Sequence, residues 1–200
     1  DLFEELAKDF DFGLQKRGLL MLCETGKLLQ EEAELAARGR ELGLRVEVCD
    51  RGRLAELDPA VEMRVRGGIW YEQDCHLEPG RFLEGLKAGA EKRGAEFRYR
   101  CEVERVGDGE IRLQSGEELS GSHVVVAGGA WTPALARSLK LRIPMQGGKG
   151  YSMTLSRPGA LPQLCSLLGE ARVAITPMGE SLRVAGTMEI CGNDLSVKER

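Results

Sequence analysis

Val124-Val125-Val126-Ala127-Gly128-Gly129-Ala130-Trp131 is the segment whose residue types point most directly at chemistry. A β-branched apolar run that ends in two glycines predicts a buried strand turning sharply into a helix. With no Cβ at Gly128 and Gly129, a ligand can come into contact with bare backbone. N–H groups left over at the start of the following helix favour an anionic or hydrogen-bond-accepting partner. The plain alternative is a tight strand–helix corner whose glycines serve packing alone.

Four further side chains are of types suited to holding a small acid. Lys149 and Tyr151 leave the glycine-rich bend Gly147-Gly148 and enter a strand. If that strand lines a pocket, the phenol can hydrogen-bond a carboxylate and the ammonium adds charge; an edge tyrosine and a solvent-facing lysine are the rival readings. Arg183 alternates onto the strand face opposite Leu182 and Val184, toward either solvent or a pocket, and arginine is the residue that grips a carboxylate in bidentate fashion. His76 lies in a loop before a helix, where a lone histidine ordinarily makes a structural hydrogen bond and more rarely serves catalysis or senses pH.

Several common chemistries are excluded. Gly147-Gly148-Lys149-Gly150 lacks the spacing and the Lys-Ser/Thr of a P-loop, and neither G-x-S-x-G nor G-x-G-x-x-G occurs. His123 within an apolar run is a poor general base. The six cysteines (Cys23, Cys49, Cys75, Cys101, Cys165, Cys191) are dispersed without a CxxC pair, and neither histidine has a ligand at metal spacing. Reduced, mostly buried thiols and no metal are expected.

The elements that must position these groups follow from periodicity and punctuation. Gly18 to Cys23, Val46 to Cys49 and Gly67 to Tyr71 read as strands. Lys27 to Leu42 reads as a helix stopped by Gly43, and Asp50 caps a short helix that must end before Asp58-Pro59. A helix opening near Pro79 runs to Gly94. Beyond it the period falls to two, which predicts strands over 97–106, 111–114, 123–127, 151–156, 172–176 and 182–189, with a helix over 131–139. Mixed αβ order with hairpins near the end gives an α+β class, an antiparallel-sheet unit joined to part of an α/β layer.

The 200 residues carry a net charge of −4, 42% apolar and 30% charged residues, an ordinary globular composition without the basic face of a nucleic-acid binder. No apolar run approaches the roughly 20 residues of a spanning helix. The expected place is the cytoplasm, or the inner surface of the membrane as a peripheral protein. Oligomeric state is not legible. The chain opens at Asp1 inside an amphipathic pattern and closes at Arg200 just after a strand, so it is expected to be a segment of a longer protein.

Taken in order, Asp74-Cys75-His76-Leu77-Glu78-Pro79, Cys101-Glu102-Val103-Glu104-Arg105-Val106, the VVVAGGAW element and Ile143-Pro144-Met145-Gln146-Gly147-Gly148-Lys149-Gly150-Tyr151-Ser152 resemble the D-amino-acid oxidase superfamily of flavoenzymes. Val173 to Thr176 and Arg183 to Glu189 continue the match. The resemblance is nearest to the bacterial D-amino-acid dehydrogenase (small subunit) group and more distant from glycine oxidase. It implies FAD as cofactor, with Val103 at the adenine and Ala127, Gly128, Gly129 and Trp131 beside the flavin; an ordinary strand valine and a core-covering tryptophan are the alternatives. It also implies that the chain is the middle of such a protein: substrate-domain helices and strands over 1–95, part of the FAD-binding domain over 96–142, and substrate-domain antiparallel sheet over 143–200.

The implied reaction oxidises a small amino acid, through an imino acid, to a 2-oxo acid and ammonia. Electrons pass to a membrane carrier or to oxygen. The substrate contacts fall to Tyr151, Lys149, Arg183 and His76, and no catalytic acid–base residue is identified. The rivals are oxidation of a 2-hydroxy acid or glycerol phosphate on the same scaffold, and a binding domain without activity.

Overall fold

The computed structural model describes residues 2–197; the chain ends noted above, Asp1 and Arg200, lie outside the described residues. The chain divides into two compact units, one of residues 2–93 with Tyr151–Thr187, the other of Gly94–Gly150 with residues 188–197.

The first unit contains α1 (Leu2–Leu6), β1 (Leu19–Cys23), α2 (Gly26–Glu41), β2 (Val46–Cys49), α3 (Arg51–Leu57), β3 (Gly67–Tyr71) and α4 (Pro79–Lys92). Strands β4 (Val103–Val106), β5 (Glu110–Leu113) and β6 (Glu118–Ser120) belong to the second unit. The strands that follow are β7 (Lys149–Ser156), β8 (Cys165–Leu168), β9 (Val173–Met178) and β10 (Ser181–Glu189), and the sheet order is β2-β3-β1-β8-β9-β10-β7. The pairings of β1 with β3, β3 with β2, β8 with β9 and β9 with β10 are antiparallel. That of β1 with β8 is parallel, with Leu19 opposite Cys165.

Alternation along the strands divides the core in two. Leu20 and Leu22 pack on one side with Cys49, Leu54 of α3, Val65 and Leu164. Met21 turns to the other side, where Ile69 and Val46 meet Ala36 of α2. Both long helices begin and end as their punctuation requires. Thr25 caps α2 by accepting from the Leu28 N–H at 3.2 Å, and Asp50 caps α3 by accepting from the Arg53 N–H at 2.8 Å. Pro79 opens α4. Phe3, Phe10, Phe12 and Phe82 form a ring cluster at its flank, and Gly85 lets the Phe10 ring lie against the helix where any Cβ would collide.

Two carboxylates fasten loops to this sheet. Asp58, 1% exposed, accepts from the backbone N–H of Gln163 at 2.7 Å and of Leu164 at 3.1 Å, and so ties the end of α3 to the approach of β8. Glu170 accepts from the N–H of Glu24 and Thr25 and from the Thr25 hydroxyl, which ties the β8–β9 turn to the start of α2.

The second unit holds a small antiparallel sheet of β4 (Val103–Val106), β5 (Glu110–Leu113) and β6 (Glu118–Ser120). Three readings from the sequence are corrected here. The strand expected over 97–106 is confined to its last four residues. The run 123–127 joins no sheet among the described residues, and Val125 is 86% exposed; β-branched composition favours extension, but a strand also needs a neighbouring edge to take its N–H and C=O groups. The helix expected over 131–139 is a 3-10 turn at Gly129–Trp131, a single α-turn α5 (Thr132–Ala136) and a second 3-10 turn at Arg137–Leu139. Strands β6 and β8 had not been expected.

Candidate functional site

The glycine corner lies in the second unit. Gly128 is half-buried and Gly129 exposed, and Gly129 has φ +53° with no atom within 4 Å of where a Cβ would stand. Bare backbone therefore faces open space, as close approach of a ligand requires. The helix-start contribution is smaller than expected, because the Trp131 N–H is taken by the Gly128 carbonyl at 3.0 Å and α5 is only one turn. Ala127 is exposed. Trp131 is 54% exposed and so does not fill the core of its unit. Val103 opens β4 opposite Leu113, half-buried, just before a register shift in that ladder.

The segment after β10 is held to the same corner. Asn193 donates to the Ala130 carbonyl at 3.5 Å, and a side chain at Gly147 would press on Ala130, Asn193 and the Gly192 carbonyl. Lys149 lies beside Glu189 at 3.2 Å and donates to the Ser196 carbonyl at 2.6 Å, with only 14% of its side chain exposed. Its charge is engaged within its own unit. Tyr151, two residues along β7, is half-buried and its hydroxyl is enclosed.

In the first unit, Arg183 pairs in register with Thr176, on the sheet face opposite Ile175 and Val184, and is half-buried. His76 stands elsewhere, in the wall of a polar cavity of about 420 Å³ at the head of β1, with Asp11, Arg17, Glu78 and Arg81. Its backbone bridges to Gln15, while its Nδ1 is buried without a hydrogen-bond partner among the described residues. Burial, and then the nearby charge of Arg17, push the His76 pKa down, so the ring is held neutral at pH 7. Arg17 donates to Gln163 at 2.6 Å; Arg81 pairs with both Asp11 and Glu78.

The four substrate residues expected from sequence are thus not gathered into one cavity. Nothing in the local pattern of Arg17, Arg81 and Asp11 distinguishes them from surface charges; they meet His76 only through the pairing of residues 12–18 with 74–78. Among the described residues no group of histidines, cysteines and carboxylates is placed to hold a metal, and no helix is long and apolar enough to cross a membrane.

The family described as FAD dependent oxidoreductase (DAO) matches residues 1–199, and the chain belongs to it. The chain is 35% identical over 193 residues to a D-amino acid dehydrogenase of Methylobacterium nodulans, covering 89% of this chain and 45% of that protein. It is 36% identical over 212 residues to one of Xanthobacter autotrophicus, covering 100% and 50%. The fold is similar to that of glycine oxidase from Geobacillus kaustophilus, with a TM-score of 0.87 at 22% identity over 98% of this chain and 55% of that one. The chain spans about half the length of the curated relatives it matches.

Proposed function

We propose that this chain is part of an FAD-dependent dehydrogenase that oxidises the Cα–N bond of a small D-amino acid. The observation that carries the reading is the open Gly128–Gly129 corner, in a chain matched along 1–199 by an FAD-dependent family. The corner fits the cofactor: Ala127, Gly128, Gly129 and Trp131 would hold the flavin through bare backbone and one exposed ring, and the Val103 main chain would hold the adenine. FAD, when bound, supplies the two-electron acceptor.

The chain's own residues bind and orient. The sheet bearing Tyr151 and Arg183 presents the amino acid, and the contact between Lys149 and Glu189 fixes the entry of β7. His76, neutral and partly enclosed, is available as a hydrogen-bonding residue at a second polar locus. No acid–base pair is demanded if the amine is bound neutral; the bound geometry and exclusion of water do the work. Water then converts the imino acid to a 2-oxo acid and ammonia. The electrons then pass to a membrane electron carrier or to oxygen, and the dehydrogenase names of the relatives above favour an acceptor other than oxygen. Residues 96–142 are assigned to the FAD-binding domain, and 1–95 with 143–200 to the substrate domain.

The test is anaerobic reduction of a dye by the intact flavoprotein that carries this segment. Addition of D-amino acids is expected to reduce the dye and release 2-oxo acid and ammonia in equal amounts. Reduction only with 2-hydroxy acids or glycerol 3-phosphate overturns the substrate assignment, and no reduction with any of these overturns the oxidoreductase.

A further inference from the structure

The first unit carries a concavity distinct from the polar cavity at His76. It lies on the α3 side of the sheet and has a volume of about 320 Å³, within the range of small-molecule sites. Its floor is the sheet itself. Leu22, Ser166, Ile175 and Leu182 alternate onto this one side, as the registers Leu20 with Ser166 and Ser166 with Ile175 require. Met63 and Leu164 form its walls. Those walls are fixed by Asp58, whose buried carboxylate binds the Gln163 and Leu164 N–H groups and, at 3.3 Å, that of Ala60. The hollow is therefore built into one unit and walled on several sides, unlike an open sheet face.

Its polar groups are few and placed apart. Inside, Ser166 is only 8% exposed, and its hydroxyl makes no hydrogen bond among the described residues. At the mouth stand Glu24, Glu62 and Arg64. Arg64 and Glu62 pair at 3.1 Å with side chains 84% and 76% exposed, and a pair so open to water is weakly held and re-forms readily around a charged ligand. An apolar interior with both signs of charge at its mouth matches a molecule with an aliphatic body and a zwitterionic head.

We propose that this pocket binds an aliphatic amino acid, its side chain inside and its carboxylate and ammonium groups at Arg64 and at Glu24 with Glu62. The ligand class rests on the amino-acid reading above, and the pocket, on the sheet face away from Arg183, is a second locus for that class with room for longer side chains.

The experiment is calorimetric titration of the 200-residue chain, without flavin, with leucine and alanine in both enantiomers. Leucine is expected to bind about tenfold or more tightly than alanine, since its extra methyl and methylene groups leave water. Ala160, exposed at the lip, gives the blocking variant: Ala160→Trp is expected to abolish leucine binding with an unchanged unfolding midpoint. Arg64→Gln, at a fully solvated position, is expected to weaken it several-fold. Equal affinity for the two amino acids, no heat with either, or wild-type binding by Ala160→Trp overturns the proposal. Should Ala160→Trp fail to fold, methyl shifts of Leu22, Ile175 and Leu182 decide: leucine must perturb them, and unmoved signals overturn the pocket. Binding without turnover in the flavoprotein would overturn the proposed oxidation alone, whereas turnover without binding here would overturn the pocket alone.

Discussion

Asp58 shows how much one buried carboxylate can fix. Its two short bonds from Gln163 and Leu164 hold segments more than a hundred positions apart in the chain. Asp58→Ala strands two enclosed N–H donors, and urea unfolding is expected to show a loss of about 3 kcal/mol, with Asp58→Asn recovering part of it. Gly129 sits in the left-handed region, so Gly129→Ala is expected to cost about 1 kcal/mol by the same measurement. His76 adds a pH dependence of definite sign. Its folded pKa is depressed by burial and by Arg17, so as pH falls the unfolded chain takes up the proton first. The stability it contributes is complete above about pH 6.5 and is lost as pH drops from there toward the folded value. His76→Gln is expected to flatten the slope of the unfolding free energy between pH 7 and 5; an unchanged slope would show that the ring is not held neutral.

At the scale of elements, the Glu170 clasp on the start of α2 is the clearest test. Bonds from the Glu24 N–H, and then from the Thr25 hydroxyl and N–H, pull the Glu170 pKa down to about 2. A depressed carboxylate stabilises above its unfolded value and loses that effect as pH falls through the folded one. Glu170→Gln is therefore expected to melt below wild type at neutral pH, with the two midpoints converging between about pH 4.5 and pH 2. Nothing local in the sequence marks Glu170, since its partners lie some 145 residues away. Where signals are local, the sequence was legible. Asp50, Gly43, Pro79 and Gly94 each mark a boundary within a residue or two of the observed one. The short apolar run of β8 has no alternation to mark it as a strand, and Val124 to Val126 has a strand's composition without a strand's partner, because composition cannot show whether a neighbouring edge exists. The candidate site was legible only in part for the same reason: the glycine corner is local, while the cavities at His76 and Ser166 arise from pairing across the whole chain.

For the molecule as a whole, cofactor retention is the decisive property. The sequence has no G-x-G-x-x-G to hold a pyrophosphate. The purified 200-residue chain is thus expected to be colourless, with no absorbance band near ~450 nm even after incubation with FAD, whereas the intact flavoprotein is yellow. A yellow chain would show that the glycine corner and Val103 suffice for binding.

The parallel pairing of β1 with β8 has a consequence for biosynthesis. Leu19 meets Cys165, so the inner edge of β1 stays unsatisfied while everything between them leaves the ribosome. At ordinary elongation rates that interval is on the order of ten seconds, long for a hydrophobic strand to wait. Nascent chains arrested before Cys165 should be readily digested by protease and bound by chaperones, and those arrested well beyond Leu168 should be resistant.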